Sequence, residues 1–285
     1  MRGSRPERAL DAILAQQAEL RAGETVVAAT SGGADSGALA VLLAGAAQAA
    51  GARLVLGHVN HALRPSSWQD EAVVLALGAA LRVRVVAVSL GPGPVDEARL
   101  RQERYAALGE IAARAGASRI FTAHHARDQA ETVLLALFRG AGPDGLTGIP
   151  RERDLGNGLR VVRPLLGVEP AQLRAYLMSR RLPYALDPTN LDTAYRRNAV
   201  RAALAELRPA FPHLDAAVAR CATILREERS DPGRATLRER LRAELAAATG
   251  NTRDVTFERL DAAARAIERG AGRHFLRCGV EVIVE

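Results

Sequence analysis

Short β-branched runs alternate with longer stretches of helical periodicity over the first two-thirds of the chain. Residues 25–30 (TVVAAT) form an apolar run ending in a glycine-rich turn, after which Leu39, Leu42 and Leu43 recur at helical spacing. The same order returns at 54–59 (LVLGHV) before a helix over about 67–81, at 83–90 (VRVVAVSL) before a helix over 96–115, and at 119–123 (RIFTA) before a helix over 128–138. A last run at 159–166 (LRVVRPLL) precedes a helix over 169–181, with Pro170 suited to its first turn. Strand–helix units in this order predict an α/β fold: a doubly wound, parallel, five-stranded sheet with helices on both faces.

Two stretches interrupt the alternation. Residues 140–158 (GAGPDGLTGIPRERDLGNG) are rich in Gly, Pro, Asp and Arg, which predicts a long, mobile, functional loop. Beyond it the pattern turns helical, over about 196–207, 214–228 and on to 269, before a closing strand-like run, GVEVIVE. The expected division is a catalytic domain over 1–209 and a smaller, mainly helical domain over 210–285.

Parallel sheets are buried on both faces and take ligands at the carboxyl ends of their strands, so the chemistry should follow the strands. Three polar clusters do: SGGADS after the first, NHALR after the second and HHARDQAET after the fourth.

Composition narrows the classes. All 39 basic residues are arginine; without lysine there is no Schiff-base or pyridoxal-phosphate lysine and no GxxxxGK[ST] phosphate loop. The formal charge of +7 fits a polyanionic partner such as nucleic acid, and equally an ordinary arginine-rich surface. Cys221 and Cys278 lie far apart, which argues against a disulfide framework. No apolar stretch is long enough to span a bilayer and the start lacks a secretory core, so no membrane partner and a cytoplasmic location are expected.

In residues 31–36 the two glycines let the backbone approach an anion, and Ser31 and Ser36 offer hydroxyl donors. Asp35 adds a carboxylate where phosphate alone would disfavour one, a conflict that Mg²⁺ resolves. The bland alternative is a glycine turn capping a helix.

SGGADS after an apolar strand resembles the pyrophosphate loop, SGGxDS, of the N-type ATP pyrophosphatases. HVNHALR (58–64), AHHARDQAETVLLALFRGAG (123–142), DPTN (187–190) and YRRNAVR (195–201) resemble, in order, the patterns of tRNA(Ile)-lysidine synthetases. The resemblance implies an adenine nucleotide alpha hydrolase-like fold and an ATP-dependent C–N ligase. Such an enzyme adenylates O2 of the wobble cytidine of a CAU-anticodon isoleucine tRNA, and the ε-amine of free L-lysine then displaces AMP.

The resemblance places ATP against Ser31, Gly32, Gly33, Ala34, Asp35 and Ser36, with Val59 and His61 beside the adenine and Asp35 on Mg²⁺. Asp35, Asp128, Glu131 and Arg197 form the expected catalytic set; Asp128 and Glu131, three apart on one helix face, would orient lysine or metal. His58, Asn60, Arg64, His124, Arg163, Asn198 and Arg201 are expected on the substrate and tRNA side. Loop histidines could equally be satisfied structurally, and acids at a helix start serve the dipole alone. Arg127 departs from the family pattern, which has two adjacent Asp before Gln. A related tRNA thiolase or amide-forming synthetase remains an alternative, although no paired cysteines serve thiolation, as does a non-catalytic tRNA- or nucleotide-binding protein. Oligomeric state stays open, a homodimer among the options.

Overall fold

A computed structural model of the chain describes residues 5–60, 67–91, 97–185, 196–249, 255–270, 272–277 and 280–284. His61, Arg64, the DPTN stretch and the side chains of Arg197 and Asn198 lie outside the described residues.

The chain divides into two compact units. One comprises Met1–Arg139 and Gly148–Ala219, the other Gly140–Thr147 and Arg220–Glu285. The division falls inside a helix, Leu214–Ser230, and the glycine-rich segment before Gly148 groups with the second unit.

In the first unit the elements run α1 (Arg5–Ala18), β1 (Thr25–Ala29), α2 (Ala34–Ala50), β2 (Arg53–Asn60), α3 (Ser67–Leu81), β3 (Arg84–Ser89), α4 (Glu97–Ala115), β4 (Arg119–Phe121), α5 (Ala126–Leu137), β5 (Glu152–Gly156), β6 (Leu159–Val162), α6 (Pro170–Ser179), α7 (Arg196–Leu207) and the start of α8 (Leu214–Ser230). The sheet order is β3-β2-β1-β4-β6-β5. Five strands are parallel, as expected; the sixth, β5, pairs antiparallel with β6 on the edge.

That extra strand corrects the expectation of a long, mobile loop over 140–158 in its later part, 152–156. Asn157 and Gly158 both have positive φ (53° and 74°), which suits a two-residue hairpin whose twist matches its strands. The Asn-Gly pair was the signal for it. Charged Glu152, Arg153 and Asp154 blunt the open edge.

Period-2 alternation sorts the strands into two cores. Val26, Ala28, Leu56, Phe121 and Val162 pack with α1, α2, α3 and α6 on one face. Val27, Val55, Ile120 and Val161 meet Leu108, Ile111 and Ala112 of α4 on the other. At roughly 25 cal/mol per Å² of apolar surface, these layers supply the main drive to fold and hold the strand ends in place. Helix α1, whose buried Leu10 and Leu14 sit one turn apart, was not anticipated.

The second unit holds the rest of α8 with α9 (Pro232–Thr249), α10 (Phe257–Arg269) and an antiparallel pair, β7 (Gly272–Arg277) and β8 (Val280–Val284). Leu241, Leu245, Val255, Leu260 and Ala263 form its core. Buried Arg238 lies between Glu228 and Asp261, which supply the charge balance that burial requires. No helix among the described residues is long and apolar enough to cross a membrane.

Candidate functional site

The strand order reverses around β1, whose neighbours are β2 and β4. The crevice at the carboxyl ends of these strands is therefore the expected ligand position. Both β1 and β4 lead directly into helices, α2 and α5, so two helix N-termini with their partial positive charge gather there.

The turn from β1 into α2 is built around Gly32, whose φ of 93° suits glycine. A Cβ there would meet the Asp70 carbonyl oxygen at 3.0 Å. Ser36 Oγ donates to the Gly33 carbonyl (3.0 Å), accepts from the Ser31 N–H (3.1 Å) and lies 3.1 Å from Ser31 Oγ. Ser31 Oγ accepts weakly from the Gly33 N–H at 3.4 Å. The Ala185 N–H donates to the Gly32 carbonyl at 2.9 Å, tying the turn to the segment after α6. Gly33 occupies the N-cap position of α2 and no side chain caps the helix. The first N–H groups of α2 thus lack a side-chain acceptor, the arrangement that receives phosphate oxygens.

Asp35, in the first turn of α2, keeps its side chain 41% exposed. Its Oδ2 lies 3.4 Å from His125 Nε2. A partly exposed carboxylate beside two hydroxyls and free N–H groups suits a hard cation shared with phosphate.

His125 was not among the expected site residues, yet it joins the two helix starts. It is the N-cap of α5: Asp128 N–H donates to its Nδ1 (3.4 Å) and its own N–H donates to Asp128 Oδ2 (3.0 Å), a reciprocal capping box. Burial disfavours its charged form, but the hydrogen bond to Asp35 and the charges of Asp128 and Asp35 outweigh this and Arg127, holding the imidazole above the usual histidine range. A polar residue after β4 with an acid three positions on was the readable signal.

The remaining expected residues are distributed as follows. His58 is buried at the end of β2; its Nδ1 lies 2.8 Å from the Thr30 carbonyl oxygen, a geometry in which Nδ1 donates, and its Nε2 has no partner among the described residues. Val59 and Asn60 end the same strand, half-buried. His124 Nδ1 lies 2.8 Å from Thr122 Oγ1. Asp128 shares its side chain between the α5 cap and an edge 23% exposed.

Glu131 points inward: it is fully buried and held by both arms of Arg201, Nε to Oε1 at 2.8 Å and Nη2 to Oε2 at 3.0 Å. Glu131 and Arg201, expected on different partners, are brought together instead. Arg163 requires correction as a tRNA contact. It is 1% exposed and donates to the Pro150 carbonyl and the Tyr105 hydroxyl, so it braces the first unit from within. Arg127 lies 3.6 Å from buried Asp215, which Arg208 also grips in two places.

The sequence supports the same location. A PP-loop domain profile matches residues 4–208. Over 209 residues the chain is 44% identical to the tRNA(Ile)-lysidine synthase of Ralstonia nicotianae, covering 71% of this chain and 45% of that protein. It is 47% identical over 191 residues to the tRNA(Ile)-lysidine synthase of Salinispora tropica, covering 65% and 56%. The chain thus spans about half the length of these curated relatives. In fold it resembles the U34-tRNA thiolase NcsA from Methanococcus maripaludis, with a TM-score of 0.67 at 15% identity over 78% of this chain and 79% of that one. Because the matched span takes in the whole sheet and the open turn that follows its central strand, the chain belongs to the PP-loop domain family.

Proposed function

We propose that this chain is an ATP-dependent tRNA-modifying ligase of the cytoplasm that joins free L-lysine to C2 of the wobble cytidine of a CAU-anticodon isoleucine tRNA. The observation that carries the proposal is the open N-terminus of α2, with Ser31, Ser36 and Asp35 around it. The identities of 44% and 47% with lysidine synthases support the choice of substrate.

Cytidine O2 attacks the α-phosphorus of ATP and the bond to the bridging oxygen breaks, releasing pyrophosphate. The N–H groups opening α2 and the hydroxyls of Ser31 and Ser36 hold that leaving group as its charge grows. Asp35 would hold Mg²⁺, which would supply neutralising charge to the phosphates. His125, 3.4 Å from the Asp35 carboxylate, limits its freedom. His58 Nε2, a buried acceptor, and the backbone at Val59 are suited to the donor edge of adenine.

In the second step the lysine ε-amine attacks C2, the C–O bond to AMP breaks, and the amine loses a proton. The exposed part of Asp128 would orient the ammonium group before that attack, while the Glu131–Arg201 pair fixes α5 against α7. Most of the acceleration comes from holding the reactants in line.

Incubation with ATP, Mg²⁺ and labelled lysine is expected to label a CAU-anticodon isoleucine tRNA but not the methionine tRNA with the same anticodon. Labelling of neither RNA would refute the assignment.

A further inference from the structure

The opposite, amino-terminal edge of the same sheet holds a second concave surface, a basin of about 840 Å³. Arg53, Arg82, Arg84, Arg114 and Arg180 line it, and among the described residues no carboxylate does. These guanidinium groups gather on one concave surface with little neutralising charge. Arg82 and Arg84 are exposed, and their side chains make no hydrogen bond or ion pair among the described residues. Arg53 Nε donates only to Thr25 Oγ1. Arg180 stacks on the Tyr176 ring at 4.6 Å and donates to its hydroxyl. Arg114 alone has a carboxylate partner, the exposed Glu110 at 3.7 Å, a contact worth little in water.

Several arginines elsewhere are neutralised. Arg119 is paired with Glu24, Arg201 with Glu131 and Arg208 with Asp215. In the second unit Arg234 meets Glu268, and Arg238 meets Glu228 and Asp261.

Helix dipoles explain part of the cluster. Arg82 follows α3, Arg114 lies in the last turn of α4 and Arg180 caps α6, where cations offset carbonyl ends. Arg53 and Arg84 have no such reason to be there, because they open strands β2 and β3. The rest of the lining is mainly Ala, Gly, Val and Leu, without an aromatic ring on which a base could stack. Planar guanidinium groups spread over several elements, with little opposing charge, fit successive phosphates of a folded backbone better than unpaired bases.

We propose that this basin docks the paired phosphate backbone of an RNA, independently of sequence and away from the reacting turn. The RNA's identity as the isoleucine tRNA rests on the proposed function; the docking chemistry does not.

The test is the affinity of the full chain for a fluorescein-labelled isoleucine tRNA transcript, measured over a series of salt concentrations. An Arg82→Gln/Arg84→Gln variant is compared with an Arg8→Gln/Arg174→Gln control at two exposed arginines outside the basin, with thermal midpoints in parallel. The basin variant is expected to bind roughly tenfold more weakly at low salt and to lower the slope of log affinity against log salt by about 1 to 2, while the control binds like wild type. Equal losses in both variants, or a lower midpoint with unchanged affinity, would overturn the basin in favour of general charge or helix-end complementation. Wild-type binding with no effect of the basin variant removes this inference alone; failure of wild type to bind the tRNA removes the proposed function as well.

Discussion

Helices α2 and α5 start from neighbouring parallel strands at the same edge of the sheet, yet their N-termini are finished in opposite ways. α5 is closed: His125 and Asp128 bond reciprocally across its first turn, and the Ala126 N–H donates to the Val168 carbonyl. α2 has a glycine at the cap and two hydroxyls beside it that bond mainly to each other and to the turn. The dipole is equivalent at both ends, so the difference lies in the first side chains. A sealed end positions; an open one has donors left for a ligand. His125 links them, since the ring that seals α5 also reaches Asp35 of α2.

The largest effect that could break this contrast is on catalysis. Asp35→Ala is expected to slow tRNA- and lysine-dependent pyrophosphate release by at least about a hundredfold. An unchanged rate would mean that the open end of α2 is only a turn.

Next in size is stability near the sealed end. Glu131→Gln leaves Arg201 without its counter-charge, and urea unfolding is expected to show a loss of about 3 kcal/mol. A loss below 1 kcal/mol would instead leave Glu131 available for substrate.

His125 sharpens the comparison because its two contacts can be separated. Its replacement by Ala removes the cap and should cost about 1 kcal/mol, whereas Asn, itself a good cap, should restore that stability. Both variants release Asp35 and are expected to raise the Mg²⁺ concentration for half-maximal activity several-fold. Recovery of Mg²⁺ dependence in the Asn variant would separate His125 from Asp35.

The smallest effect concerns pH and lies outside both helix ends. Burial pushes the Glu24 carboxyl upward, but the hydrogen bond and charge of Arg119, with the Arg21 N–H, hold it below the usual range. Its contribution is therefore full above the unfolded carboxylate value near about 4.3 and is lost as pH falls through that value toward the folded one. Arg119→Gln should reduce stability slightly at neutral pH and flatten the loss on acidification, read by thermal unfolding at pH 3 to 7.

The parallel strands and most helices were legible because period-2 and helical patterns are local; α3 and α7 begin and end where the pattern placed them. The turn over 31–36 was legible for the same reason, since its glycines, hydroxyls and carboxylate adjoin in sequence. Strand β5 was missed because its charged edge residues mimic a loop and only Asn157-Gly158 betrayed the hairpin. Arg163 and Glu131 were misplaced because whether a charged side chain faces solvent depends on distant partners, Pro150 and Tyr105 for one and Arg201 for the other. For His125 the cap was readable from the acid three positions on, but its contact with Asp35 spans the sheet edge and leaves no trace in spacing.

The most direct test is crystallography of the chain with a non-hydrolysable ATP analogue and Mn²⁺, whose anomalous signal locates the cation. The β- and γ-phosphates should lie against the first N–H groups of α2 and the hydroxyls of Ser31 and Ser36, with the anomalous peak beside Asp35. A nucleotide bound at another edge of the sheet, or a cation remote from Asp35, would contradict the account.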